Sequence, residues 1–186
     1  MRLPAPDDAE SAAELLGDPA VMRFLGGETV PREQVPDVIA KWSRRWEESG
    51  MGPFVVERRD DRRFLGRAGL LLWDVRDWSQ STLAEAGRHA QPELGWALAR
   101  AHWGNGYATE AARAVRDWAR EERGVRHLIS LIAPDNVPSQ RVAERLGARP
   151  TVTVRLFDSG DAVVWTHPDA DLRSSSRPRP GQTRSA

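Results

Sequence analysis

The 186-residue chain has no cysteine, a single tyrosine and four histidines. Without cysteine it can form no disulfide, offer no thiolate to a metal and use no cysteine nucleophile. His89, His102, His127 and His167 are scattered and lack HExxH-type spacing, so no protein-bound metal is expected. Nor is there an apolar run approaching the roughly 20 residues that a membrane span needs. The start, Met-Arg-Leu-Pro-Ala-Pro-Asp-Asp, is too polar for a signal peptide, so the cytoplasm is the expected compartment and no membrane partner is expected. Formal net charge is zero, and no basic field marks the chain as a nucleic-acid binder. Lys41 is the lone lysine, a bias that points to a GC-rich coding sequence rather than to a function.

What is present is the material of one ordinary globular domain, 40% hydrophobic and 29% charged, long enough to bury a core. Eight tryptophans are many for this length, and core and rim packing accounts for most of them. Residues 7–16 read as a short helix opened by Asp7 or Asp8, with Glu10 in its first turn. A second helix is expected over 31–48, starting at Pro31, with Val35, Val38, Ile39, Trp42 and Trp46 at helical spacing. Strand-like runs at 53–57 and 64–73 flank the charged turn 58–63 and form a hairpin. Residues 74–92 show no clear period and read as a long connection.

Further on, 93–99 reads as a strand and 107–122 as a helix stopped by Gly124. Residues 127–132 form an apolar strand, and a short helix follows the loop 134–138 and closes at Gly147. Runs 151–157 and 162–166 flank Asp158-Ser-Gly160 as a last hairpin. From Pro168 to Ala186 the chain is too polar to fold and is expected to be a disordered tail. The order predicts a mixed α/β sheet rather than a repeated βαβ array.

Residues 93–147 carry the chemistry. A strand runs into a glycine-bearing turn that opens a helix, where unpaired N–H groups and the helix dipole favour an anion such as a pyrophosphate. Gly104 and Gly106 let the backbone approach the phosphates, and Thr109 adds a hydroxyl. A plain tight turn before a helix is the alternative for these residues alone. No lysine follows to make a Walker A loop. Thr109 stands where a dinucleotide fingerprint wants its last glycine or alanine, and Asp135 lies too far along for the acidic partner.

Glu93-Leu-Gly-Trp-Ala-Leu-Ala99 and His102-Trp-Gly-Asn-Gly-Tyr-Ala-Thr-Glu-Ala111 closely resemble the acetyl-CoA motif of GNAT acetyltransferases, in particular the RimJ/RimL-like branch. Asn136-Val-Pro-Ser139 with Arg141-Val-Ala-Glu-Arg-Leu-Gly147 resembles the second motif of that family. Weaker similarity reaches back to Asp18-Pro19 and Val21-Met22, so the resemblance covers about 2–167, the expected domain being 1–167. Only Arg2-Leu3 stand where a first strand belongs, so that strand is expected to be truncated or the true start to lie upstream.

The resemblance implies the GNAT fold, a central, mostly antiparallel twisted sheet whose parallel strands splay at the CoA site, flanked by helices. It implies acetyl-CoA as cosubstrate, no metal, and transfer of its acetyl group to a primary amine, a protein N-terminus or a small molecule, by direct attack. A non-catalytic acyl-CoA-binding module of the same fold is the alternative. Trp103, Gly104, Asn105, Gly106, Tyr107, Ala108 and Thr109 would hold the pyrophosphate, and the backbone of Trp96, Ala97 and Leu98 the pantetheine.

Glu93 is the expected base or water-organiser, unless it is a surface carboxylate or pairs with Arg67 or Arg100. Glu110 is a rival that more simply answers the helix dipole. Many members of that family use a tyrosine on the last helix as the acid, whereas the lone tyrosine here, Tyr107, sits in the pyrophosphate turn. The resemblance implies Ser139 for that role, at the position from which the branch contacts the cofactor sulfur. Asn136 is a cofactor contact or a helix cap. Arg141 and Arg145 are placed to reach the cofactor's 3′-phosphate or to face solvent. The acceptor site is expected from 17–52 and 74–92, with Met22, Phe24, Trp42, Trp46, Trp73 and Trp78 as an aromatic wall; for Trp42 and Trp46 core packing is the plainer reading. The final hairpin offers an edge strand for a homodimer.

Overall fold

A computed structural model of the chain describes residues 1–156 and 160–169. Its helices are α1 (Ala9–Leu16), α2 (Pro19–Met22), α3 (Val35–Ser49), α4 (Leu83–Ala86), α5 (Tyr107–Arg123) and α6 (Val137–Arg145). The strands are β1 (Pro53–Glu57), β2 (Phe64–Asp74), β3 (Ser79–Gln80), β4 (Ala90–Leu98), β5 (Ile129–Ile132), β6 (Arg149–Leu156) and β7 (Gly160–Thr166). They form one seven-stranded sheet in the order β1-β2-β4-β5-β7-β6, with β3 on β2. All pairs are antiparallel except β4 with β5. This is the mixed α/β sheet expected from the element order.

Strand alternation divides the side chains between two helical layers. Leu70, Leu72, Leu94 and Leu98 pack against Ala111, Ala112, Val115 and Ala119 of α5. Small residues on that helix let it lie close to the sheet, and each fully buried leucine contributes roughly 2 kcal/mol. On the opposite face α1 and α3 join through Ala12, Leu16, Val35, Ile39 and Trp42. Trp46 belongs to packing, stacked with Phe54 and Trp118 and donating to the Pro53 carbonyl at 2.9 Å.

Several boundaries differ from the sequence reading. Asp8 does not cap α1 with its side chain: its carboxylate takes Arg2 at 2.5 and 2.8 Å and the Ala5 N–H at 2.7 Å, closing a 3₁₀ turn at Pro6–Asp8 before α1. The helix α2 forms at Asp18-Pro19 and Val21-Met22, where the resemblance implies the family's first helical region; Asp18 accepts from the Ala20 N–H at 2.9 Å. A 3₁₀ turn, Arg32–Gln34, precedes α3, which starts at Val35 rather than Pro31.

Residues 74–92 are not a plain connection. They hold β3, α4 and the first residues of β4, so Glu93 lies inside β4 instead of opening it. Thr82 and Glu85 form a reciprocal capping box there. Arg45 of α3 donates to Gln80 at 2.6 Å and draws the segment toward α3.

Where a first strand was expected, Arg2 exchanges backbone hydrogen bonds with Val55 at 3.2 and 2.9 Å. The final hairpin pairs Leu156 with Gly160. Its turn at 157–159, and the 170–186 part of the expected tail, lie outside the described residues.

Candidate active site at the splay between β4 and β5

After β4 the chain makes a 3₁₀ turn at Arg100–His102, and Trp103 Nε1 donates to the Leu98 carbonyl at 2.7 Å. Asn105 Nδ2 donates to the carbonyls of Trp103 at 2.9 Å and His102 at 3.3 Å, so its amide folds the turn. Gly104 and Gly106 sit at φ 78° and 81° with no atom near a would-be Cβ. The turn therefore needs glycine for conformation, and the space above it is open.

Gly106 is the N-cap of α5 and has no side chain to cap with. From Gly104 to Thr109 no backbone N–H finds an acceptor among the described residues; Glu110 is the first to donate, to Gly106 at 3.1 Å. Thr109 Oγ1 is buried without a partner. These donors share the positive end of a 17-residue helix. Arg141 and Arg145 of α6 reach the same cleft, exposed and without ion pairs among the described residues. The donor set fits the phosphates of a coenzyme A.

The cleft, about 310 Å³, continues from this turn past Tyr107, Ala108 and Thr109 to the backbone of Trp96, Ala97 and Leu98, and to Asn136 and Ser139. Phe24 and Leu25, after α2, close its other wall. It exists because β4 and β5 pair only at Glu93↔Ile129 and then separate. The carbonyls of Leu94 and Leu98 both point to the open edge, one taken by Ser130 and the other by Trp103. Strand alternation turns the N–H and C=O of Trp96 to that edge as well.

A second cleft, about 150 Å³, lies across the splay and shares Phe24, Leu25, Trp96, Asn136 and Ser139 with the first. Its polar wall is Glu93, Arg67, Trp73 and Gln80. Glu93 is buried, 6% exposed, and accepts from Trp73 Nε1 at 3.3 Å. Burial pushes its carboxyl up; the Trp73 N–H and the charges of Arg67 and Arg45 only partly oppose this. Arg100, the other partner considered from sequence, is taken by Asp18 at 2.9 Å.

Asn136 accepts from the Ser139 N–H at 3.3 Å, so it does cap α6, and it lines both clefts at the same time. The Ser139 hydroxyl has no hydrogen-bond partner among the described residues and stands where the clefts meet. Glu110 is exposed on the first turn of α5. Of the expected aromatic wall, Phe24 and Trp73 line the second cleft. Met22 and Trp42 are core, and Trp78 packs beside Leu71 and Leu156.

Sequence reasoning missed three residues around the site. His102 is buried in the wall of the first cleft, its pKa lowered by burial and then by Arg63 and Arg58. Ser130 and His167 form a buried pair beneath the splay, Oγ to Nε2 at 3.0 Å. His102 heads the motif quoted above without a role of its own there, whereas His167 and a strand serine carry no motif and only the third dimension brings them to the site.

The chain's residues 1–149 match the family model described as an acetyltransferase (GNAT) domain. It is 33% identical over 158 residues to the uncharacterized protein YkkB of Bacillus subtilis, covering 84% of each chain. The fold superposes on an acetyltransferase from Agrobacterium tumefaciens with a TM-score of 0.70 at 26% identity, covering 89% of this chain and 88% of that one. It also superposes on the aminoglycoside acetyltransferase AAC(6')-Ib in complex with coenzyme A, with a TM-score of 0.71 at 18% identity over 90% and 92% of the two chains. A turn of unpaired amides leading into a splayed sheet, and a family match over most of its length, agree: this chain belongs to the GNAT family of acetyltransferases.

Proposed function

We propose that the chain transfers the acetyl group of acetyl-CoA to a primary amine by direct attack, as an enzyme of the RimJ/RimL-like branch. The observation that carries this reading is the meeting of two clefts at Trp96, Asn136 and Ser139. Phosphate donors lie on one side and a buried carboxylate on the other. Acetyl-CoA supplies the activated thioester. The residues of the chain hold it, exclude water and manage protons.

Gly104 to Thr109, with Arg141 and Arg145, receive the phosphates, and the free edge of Trp96 receives the amides of the pantetheine arm. Glu93, its carboxyl raised by burial, takes as a carboxylate the proton that the substrate ammonium must lose before its amine attacks, directly or through a water. Ser139 is placed to give a proton to the departing sulfur. Holding amine and thioester in line across the splay supplies much of the rate.

The test is release of free thiol from acetyl-CoA over a panel of amines, for the native chain, Glu93→Gln and Ser139→Ala. Amine-dependent release that falls at least tenfold in both variants supports the assignment. If acetyl-CoA raises Tm but no amine releases thiol, the chain is an acyl-CoA-binding module and not an enzyme.

A further inference from the structure

The second cleft holds an electrostatic asymmetry that proton transfer does not use. On the face of the sheet turned to α3, β2 presents Arg67, Leu71 and Trp73, and β4 presents Glu93 and Ala97. Glu93 is paired with Leu71 and Arg67 with Ala97. Midway between them the paired residues are Gly69 and Gly95, and the backbone of Gly52 and Pro53 takes the space that a Gly69 side chain would need. A Cβ on Gly95 would press on Glu93 Oε1 at 3.2 Å. The positions of Arg67 and Leu71 lie about 13 Å apart along the strand, and Arg67 and Glu93 both line the one cleft of about 150 Å³. Two long side chains reaching inward shorten that span to the length of a small molecule.

Arg67 and Glu93 do not complete each other. Among the described residues Arg67 forms no ion pair and donates no hydrogen bond, and its Nε is buried without a partner. Its guanidinium is held 5.5 Å from the ring centroid of Trp42, which fixes it over the cleft. Arg45 lies near enough to act on both Arg67 and Glu93, and the carboxylates that act on it are Glu93 first and Glu48 second. The charged groups of this region are therefore the cations Arg67 and Arg45 and the carboxylates Glu93 and Glu48. An ammonium arriving alone would add an unbalanced cation beside a guanidinium that already lacks a partner. Buried donors left unpaired weaken binding, whereas a carboxylate on a guanidinium is among the stronger contacts available.

We propose that the acceptor is a small amino acid, its carboxylate on Arg67 and its amine directed toward Glu93 and the splay. Leu71, Trp73, Leu131 and Leu156, which pack together, make the rest of the wall, so an apolar side chain suits it. The inference rests on the acetyl-transfer reading and narrows its substrate.

The experiment compares leucine, methionine and phenylalanine with their amides and with isoamylamine and phenethylamine, by thiol release from acetyl-CoA in the native chain. The expected result is a kcat/KM at least tenfold higher for each acid than for its amide or decarboxylated amine, expressed mainly in KM. Arg67→Met should collapse that preference to within twofold, and Arg67→Lys should keep part of it. Amides or simple amines matching the acids in the native chain would overturn the proposal without any variant, as would a preference that survives in Arg67→Met. Failure of every amine to release thiol, while acetyl-CoA still raises Tm, would remove the transfer reading and this inference together. Release with simple amines alone would remove only the inference.

Discussion

Ser130 Oγ donates to the Leu94 carbonyl at 2.6 Å, one residue beyond the point where β4 and β5 stop pairing. The hydroxyl hydrogen is committed to that carbonyl, so His167, 3.0 Å away, gives its Nε2–H to the same oxygen. A side chain thus ties the two strands where the backbone ladder has ended. Ser130→Ala leaves both the carbonyl and the imidazole N–H unpaired, and should cost about 2 kcal/mol in urea unfolding. If the tie also sets the width of the opening, KM for acetyl-CoA should rise more than kcat falls. Ser130→Thr, which keeps the hydroxyl, should restore both. An unchanged KM in the alanine variant would remove the second role.

His167 makes stability depend on pH. Burial, and then Arg116 and Arg120, lower its pKa from 6.5 to about 4. Between these values the unfolded chain binds a proton that the native chain refuses, so stability falls as pH drops from 6.5 toward 4. The loss should approach about 3 kcal/mol at the lower end. His167→Gln cannot titrate, and its unfolding free energy should be flatter across this window. Parallel curves for the variant and the native chain would exclude His167 as the source.

Glu93 has the opposite sign. Its raised pKa means that its contribution is fully present below the unfolded value and is lost as pH rises through the folded one. Glu93→Gln should therefore be more stable than the native chain at pH 8 and about equal to it at pH 5. At the same time turnover should drop about 10²–10⁴-fold if the carboxylate is the base. Thermal melts at the two pH values, set beside initial rates, read both effects. A variant that gains no stability at pH 8 would mean that Glu93 is not held as a buried charge.

Gly106 allows conformation and space to be separated. Its φ is 81° and nothing lies within 4 Å of a would-be Cβ. Gly106→Ala should thus cost about 1–2 kcal/mol through backbone strain and not through a clash. KM for acetyl-CoA should rise about tenfold, because a methyl group now stands where the phosphates approach. Gly106→Asn tolerates the left-handed region better and should recover part of the stability without recovering KM. Equal stability of the alanine variant and the native chain would refute the strain argument.

The cofactor side was legible because its chemistry is local. Trp103 to Thr109 and Asn136 to Ser139 are contiguous segments whose spacing directly sets a turn and a helix start. Glu93 was legible as a residue but not in its surroundings: it was read at the head of a strand, and the preceding Ala90-Gln-Pro92 in fact continues β4 behind it. That error followed from 74–92, where polar residues mask a capping box and a two-residue strand too short to show a period. Arg67 entered only as a possible partner for Glu93. Its place in the same cleft as Glu93 depends on the register that sets Arg67 against Ala97 and Leu71 against Glu93, and strand register is set by tertiary packing rather than by either segment alone.

The row of amides from Gly104 to Thr109 is made of main-chain dipoles, which recognise oxygen-bearing anions by shape and charge and not by identity. Inorganic phosphate, sulfate and pyrophosphate are thus competitors by construction, and the solvent chosen for handling the enzyme becomes part of its apparent affinity. Arg141 and Arg145 are exposed, so their share weakens with ionic strength more than that of the short-range amide hydrogen bonds. Titrations in a phosphate buffer and in a zwitterionic one at equal ionic strength should diverge in KM and agree in kcat. The size of the gap measures how much of the cofactor's grip is borne by the turn itself.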